Sequence, residues 1–103
     1  MQLKVMRHYQ NGERLLHTIT ITKGPYELDQ MIEMNLDYRV SPLQNEEITF
    51  IQLNGTADGG CSALISNSVD RRKQLLGTVQ SARPVKDFAL TVAIHGIVRI
   101  NAQ

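Results

Sequence analysis

The stretch NGTADGGCSAL, residues 54–64, sets the single cysteine of the chain directly after a glycine pair. A thiol becomes a useful nucleophile when a helix N-terminus, a cation or a partner histidine lowers its pKa. The nearest charge to Cys61 is Asp58, whose sign opposes thiolate formation, and spacing brings none of His8, His17 or His95 beside it. Gly55, Gly59 and Gly60 read instead as backbone turns in a loop between two strands. Cys61 then opens the apolar run CSALI as a small buried residue. The glycines do not form a phosphate cradle either, because a P-loop needs a lysine after its last glycine and none follows Gly60.

Metal chemistry has no more support, since the chain holds no H-x-H, H-E-x-x-H or C-x-x-C spacing. Asp29, Glu33 and Asp37 could pair as acid and base, yet period-2 spacing puts them on one solvated strand face. His17 shares a face with Leu15, Ile19 and Ile21 and reads as a half-buried sheet residue, whereas His95 lies opposite Ile94 and reads as solvated. No catalytic residue, metal site or cofactor is therefore expected, and the reading leans away from an enzyme. The one basic cluster is DRRK at 70–73. Arg71, Arg72 and Lys73, with Arg83 and Lys86, are the candidates for a nucleic-acid or anion contact. The blander account of DRRK is a charged loop or the first turn of a helix. Net charge is +1 and the chain has no Trp, three Tyr and two Phe, so both phosphate attraction and base stacking are poorly supplied.

The elements that would carry these side chains are strands. From Tyr26 to Val40 the even positions are apolar except Gln30, while the odd positions are polar except Met31. A helical stripe through Leu28, Met31 and Ile32 would also have to contain Asn35 and Arg39, so period 2 prevails. Phe88, Leu90, Val92, Ile94, Val98 and Ile100 repeat the pattern around Gly96, which marks a bend or bulge. Asn11-Gly12 suits a tight hairpin between LKVMRHYQ and LLHTITIT. EITFIQLN, residues 47–54, is a further strand. Residues 68–80 are ambiguous: Ser68 can cap a short helix over Val69 to Leu76, or Lys73 to Gln80 can be a strand, and the favoured reading is one helical or irregular turn followed by extended chain. The expected fold is mostly β, a small antiparallel sandwich or barrel of five to six strands with at most one short helix. The alternative is α+β, should 28–36 prove helical.

At 103 residues the chain is expected to be a single domain, 1–103, with a globular composition. No apolar run approaches the ~20 residues of a membrane span. The start MQLKVMRHYQ lacks the apolar core of a secretory signal. With one cysteine there is no disulfide framework, so the expected setting is cytoplasmic, or a virion assembled after cytoplasmic synthesis.

A strand over positions 26–40 would extend roughly 50 Å, far beyond the ~13 Å radius of gyration of a compact domain this size. Its ends, and those of the last strand, would need cover from outside. Tyr38, Val40, Val98 and Ile100 are the candidate interface residues, and the small, weakly polar row Ala89, Thr91, Ala93 suits close contact with another sheet. The function expected is a non-enzymatic interaction or assembly protein, self-associating, with a homodimer favoured and a protein partner as the other option. Phage and mobile-element accessory or structural proteins offer the analogy. A small nucleic-acid-binding β-barrel using 70–86, and a small ligand-binding or enzymatic barrel around Cys61, are the alternatives. No membrane partner is expected.

Overall fold

A computed structural model describes residues 2–5, 11–66 and 70–98. These residues form seven strands and no helix: β1 (Gln2–Val5), β2 (Arg14–Lys23), β3 (Glu33–Arg39), β4 (Glu46–Thr56), β5 (Cys61–Ile65), β6 (Gln74–Ser81) and β7 (Phe88–Val98). All pairings are antiparallel. One sheet runs β1-β4-β7-β2 and the other β3-β6-β5. The chain changes sheet at each connection from β2 to β5 and again from β6 to β7, so the two sheets are wound together as a small sandwich.

The inward face is set by alternation. Phe88, Leu90, Val92 and Ile94 of β7, with Ile48, Ile51 and Leu53 of β4, meet Met34, Leu36, Leu75 and Val79 from β3 and β6. Burying side chains of this size contributes about 1.5–3 kcal/mol each. One open side of the sandwich, between β2 and β3, is closed by side chains. Lys23 Nζ donates to the Glu33 carbonyl at 3.1 Å. At the other end the His17 ring stacks on Tyr38, with centroids 5.0 Å apart.

The structure departs from the sequence expectation in three places. The strand count is seven, because CSALI pairs with β6 and is a strand in its own right. The long strand from Tyr26 begins only at Glu33. Its neighbour, β6, ends at Ser81, so positions 26–31 keep the Gln30–Val85 bridge and the bond from the Tyr26 amide to the Lys86 carbonyl at 2.8 Å, and leave Leu28 80% exposed. Asn11-Gly12 does not close a hairpin of β1 on β2: among the described residues these strands lie on opposite edges of one sheet, β1 on β4 and β2 on β7. The segment 70–73 is, as expected, a turn followed by extended chain, here β6, with the Lys73 amide donating to the Asp70 carbonyl at 2.9 Å. Ser68, the proposed helix cap, lies outside the described residues.

Gly96 marks an irregularity, though not on its own strand. The registers slip on both neighbours, between Leu15 and His17 on β2 and between Ile48 and Phe50 on β4. A Cβ on Gly96 would collide with the Glu47 carbonyl and with Leu16. A side chain there would hold both bulged strands off β7. The β2 bulge also places Leu15 on the outward row with His95, so His17 does not share its face; His17 pairs with Ile94 in line with Ile19 and Ile21 but is exposed, not half-buried as expected.

Candidate interaction surface

The two outward faces differ in charge. On the three-stranded sheet the rows read Glu33–Gln80–Ser62, Asn35–Thr78–Leu64, Asp37–Leu76 and Arg39–Gln74. Asp37 accepts from Gln74 Nε2 at 2.7 Å, and Thr78 Oγ1 donates to Asn35 Oδ1 at 3.3 Å. An open groove of about 640 Å³ runs over this face between Asp37 and Leu64. On the four-stranded sheet, strands β4, β7 and β2 align as Thr56–Ala89–Thr22, Asn54–Thr91–Thr20 and Gln52–Ala93–Thr18. No ionisable side chain stands on these three strands in that block; Lys4 of β1 flanks it opposite Gln52. The block continues into Phe50, His95 and Leu15, where the Phe50 and His95 rings stack at 5.5 Å and leave His95 half-buried, not solvated as expected. Solvated protein surfaces carry roughly 25–35% charged residues. Depletion of charge is the compositional mark of the centre of an interface.

The free edges differ as well. β1 is four residues long and carries Lys4. β3 presents Glu33, Asp37 and Arg39. β5 is five residues long, and the Arg71 guanidinium lies over its end, donating to the Ser66 carbonyl at 3.3 Å and the Ile65 carbonyl at 3.5 Å. β2 is ten residues long, and from His17 to Thr22 it has no charged residue and no proline.

The residues singled out from sequence fall as follows. Val40 is 7% exposed and already covered by the chain's own core, so it is not the uncovered end that was expected, because β3 stops one residue before it and its amide donates to Lys73 O. Tyr38 is half-buried under His17, and Val98 is 37% exposed. Ile100 lies outside the described residues. Burial first, and then the nearby Glu46 carboxylate, push the Tyr38 phenol above its ordinary pKa. Glu46 is itself buried and accepts the Ser41 amide at 3.0 Å.

The basic candidates do not form one patch. Arg71, Arg72 and Lys73 precede β6, while Arg83 and Lys86 follow it, so the full strand Gln74–Ser81 separates them. The first group is also engaged within the chain. Arg71 holds the end of β5. Arg72 reaches Asp70 at 3.4 Å and Glu47 at 3.9 Å. Lys73 Nζ donates to the Glu46 carbonyl at 3.0 Å.

Cys61 is a half-buried free thiol packed against the core. It opens β5 after a corner in which Gly59 and Gly60 take φ of 84° and 91°. That corner carries the chain from one sheet to the other and does not close a hairpin. Among the described residues no group of three or more His, Cys, Asp or Glu is placed to hold a metal ion. No described helix is long and apolar enough to cross a membrane.

The Ala-Thr-Ala row of β7 was legible as a weakly polar surface; the threonines of β2 were legible only as strand alternation. The contribution of Gln52, Asn54 and Thr56 was missed. The alternation in EITFIQLNGT carried that signal, but only the register of β4 on β7 puts all three rows on one face. No family model, curated protein or solved structure matches this chain.

Proposed function

We propose that the chain is a non-enzymatic interaction domain that assembles with copies of itself through the four-stranded sheet. The observation that carries this reading is the uncharged outward block of Thr18, Thr20, Thr22, Gln52, Asn54, Thr56, Ala89, Thr91 and Ala93. The opposite face, with Glu33, Asp37 and Arg39, supplies the contrast within one molecule. A neutral sheet of hydroxyl, amide and methyl groups can be continued by its own copy without charge repulsion. The division of the basic residues between the two ends of β6 weighs against a nucleic-acid role.

Light scattering at tens of micromolar tests the reading. The wild type is expected to be larger than one chain. Thr20→Lys, which sets a charge at an exposed position of the block on the free-edge strand β2, is expected to shift it towards the monomer while the circular dichroism of the sheets is kept. A wild type that stays monomeric overturns the proposal. So does a folded Thr20→Lys protein that associates as strongly as the wild type.

A further inference from the structure

We propose that two copies join edge to edge along β2, antiparallel about a two-fold axis, with Thr20 facing Thr20 of the second copy. This rests on the self-association reading and names its geometry. An unprotected edge strand presents a row of backbone donors and acceptors that another strand can take up, and proteins normally blunt such edges with short length, charge, proline or bulges. The chain applies these devices elsewhere: shortness and Lys4 on β1, alternating charges on β3, and the Arg71 guanidinium on β5. On β2 the bulge lies at Leu16, and the run His17–Thr22 beyond it carries none of them. Among the described residues β2 has β7 as its one neighbour.

The occupant follows from the register. Opposite residues in an antiparallel pair share a face, so a two-fold pairing must pass through a residue and match odd positions with odd and even with even. With Thr20 on the axis, Ile19 faces Ile21 of the second copy on the inner side, with His17 facing Lys23 beyond them, and Thr18 faces Thr22 on the outer side. Shifting the axis to Ile19 sets Ile21 against His17 and Thr22 against the bulged Leu16. Shifting it to Ile21 sets Ile19 against Lys23, whose ammonium is held at the Glu33 carbonyl. Only the Thr20 axis matches both isoleucines with isoleucine, and cross-strand apolar and Thr–Thr pairs are each stabilising. The product is one continuous sheet, β1-β4-β7-β2 joined to its copy, whose neutral outward block is doubled.

Single-cysteine variants in a Cys61→Ser background test this. Opposite Cβ atoms lie ~4.5–5.5 Å apart in such a pair, close to the reach of a disulfide. Thr20→Cys is therefore expected to form disulfide dimers readily under mild oxidation. Thr18→Cys and Thr22→Cys are expected to cross-link when mixed, and neither alone, because like positions then sit four residues apart along the strand, about 13 Å. A protein that is oligomeric by light scattering but cross-links through Thr91→Cys and not Thr20→Cys overturns the edge pairing and leaves self-association standing. Cross-linking of Thr18→Cys alone overturns the register. Should Thr20→Cys fail to fold, the mixed Thr18→Cys and Thr22→Cys pair decides by itself. A strictly monomeric wild type removes both proposals.

Discussion

Gly55 sits in β4 where a side chain has no room. A methyl there would lie 2.6 Å from Cys61 Sγ and 3.3 Å from Phe88 Cε1. Favourable contacts between such atoms are about 3.5–4.0 Å, so the thiol must retreat by roughly 1 Å from a site packed against the core. Overpacking of this kind costs ~1–3 kcal/mol. Replacing glycine by alanine returns ~0.4–1 kcal/mol by stiffening the unfolded chain. Gly55→Ala should therefore destabilise by about 1–2 kcal/mol. Cys61→Ala should cost about 1 kcal/mol alone, from the small space it leaves. In the double variant the new methyl occupies that space, and the two losses should fall short of their sum by at least ~1 kcal/mol. Urea unfolding followed by circular dichroism measures the cycle. With an m-value of ~1–3 kcal/mol/M, the single Gly55→Ala change moves the midpoint by about 1 M. Additivity within ~0.5 kcal/mol would refute the argument, because it would mean that the thiol and the added methyl do not compete.

Four further outcomes follow from the same structure. Gly96→Ala, which drives a methyl into the Glu47 carbonyl between two bulged strands, should cost near the top of the ~1–3 kcal/mol range and, unlike Gly55→Ala, have no single side-chain rescue; a neutral urea midpoint would count against it. The folded pKa of Tyr38 lies above its ordinary 10.0, so its contribution is present below pH 10 and is lost as pH rises through the folded value; Tyr38→Phe should flatten the alkaline fall in the unfolding midpoint. Asp70 is held below its ordinary 3.8 chiefly by the Arg72 amide, so its contribution is present above that value and is lost as pH falls through the folded one; Asp70→Ala should reduce the acid-side fall, and an unchanged acid limb would exclude the contact. Titration with a fluorescent single-stranded oligonucleotide at low and moderate salt should give no tight, steeply salt-dependent binding; a log–log slope above about 3 would restore a phosphate-contacting role for Arg71, Arg72, Lys73, Arg83 and Lys86.

Much of the fold was legible because period 2 is a local property. Ile32, Met34, Leu36, Leu90, Val92 and Ile94 fall in the core as their spacing requires. What failed was pairing, which depends on distant residues. The alternation from Tyr26 gave no sign that β6 would end at Ser81 and leave Leu28 and Met31 outside the sheet. Asn11-Gly12 indicated a turn, and Gly12 does take a φ of 87°, but not which strands it would connect. Gly96 pointed to the right place on the wrong strand, since the bulges lie on its neighbours. The outward block shows the same limit. Its threonines and alanines are visible in single strands, whereas its continuity across β4, β7 and β2 exists only once register is known. The proposed basic patch failed for the converse reason, since residues close in sequence are divided by the length of a strand.

Sedimentation velocity on the wild-type chain, across a concentration series reaching tens of micromolar, tests the central claim most directly. A strand-edge contact falls below the ~1,200 Å² of total buried area at which stable interfaces begin, so the association should be reversible and concentration-dependent. The account predicts a species approaching twice the 11.6 kDa chain mass at the upper end of the series. A sedimenting mass that stays at 11.6 kDa throughout would contradict it.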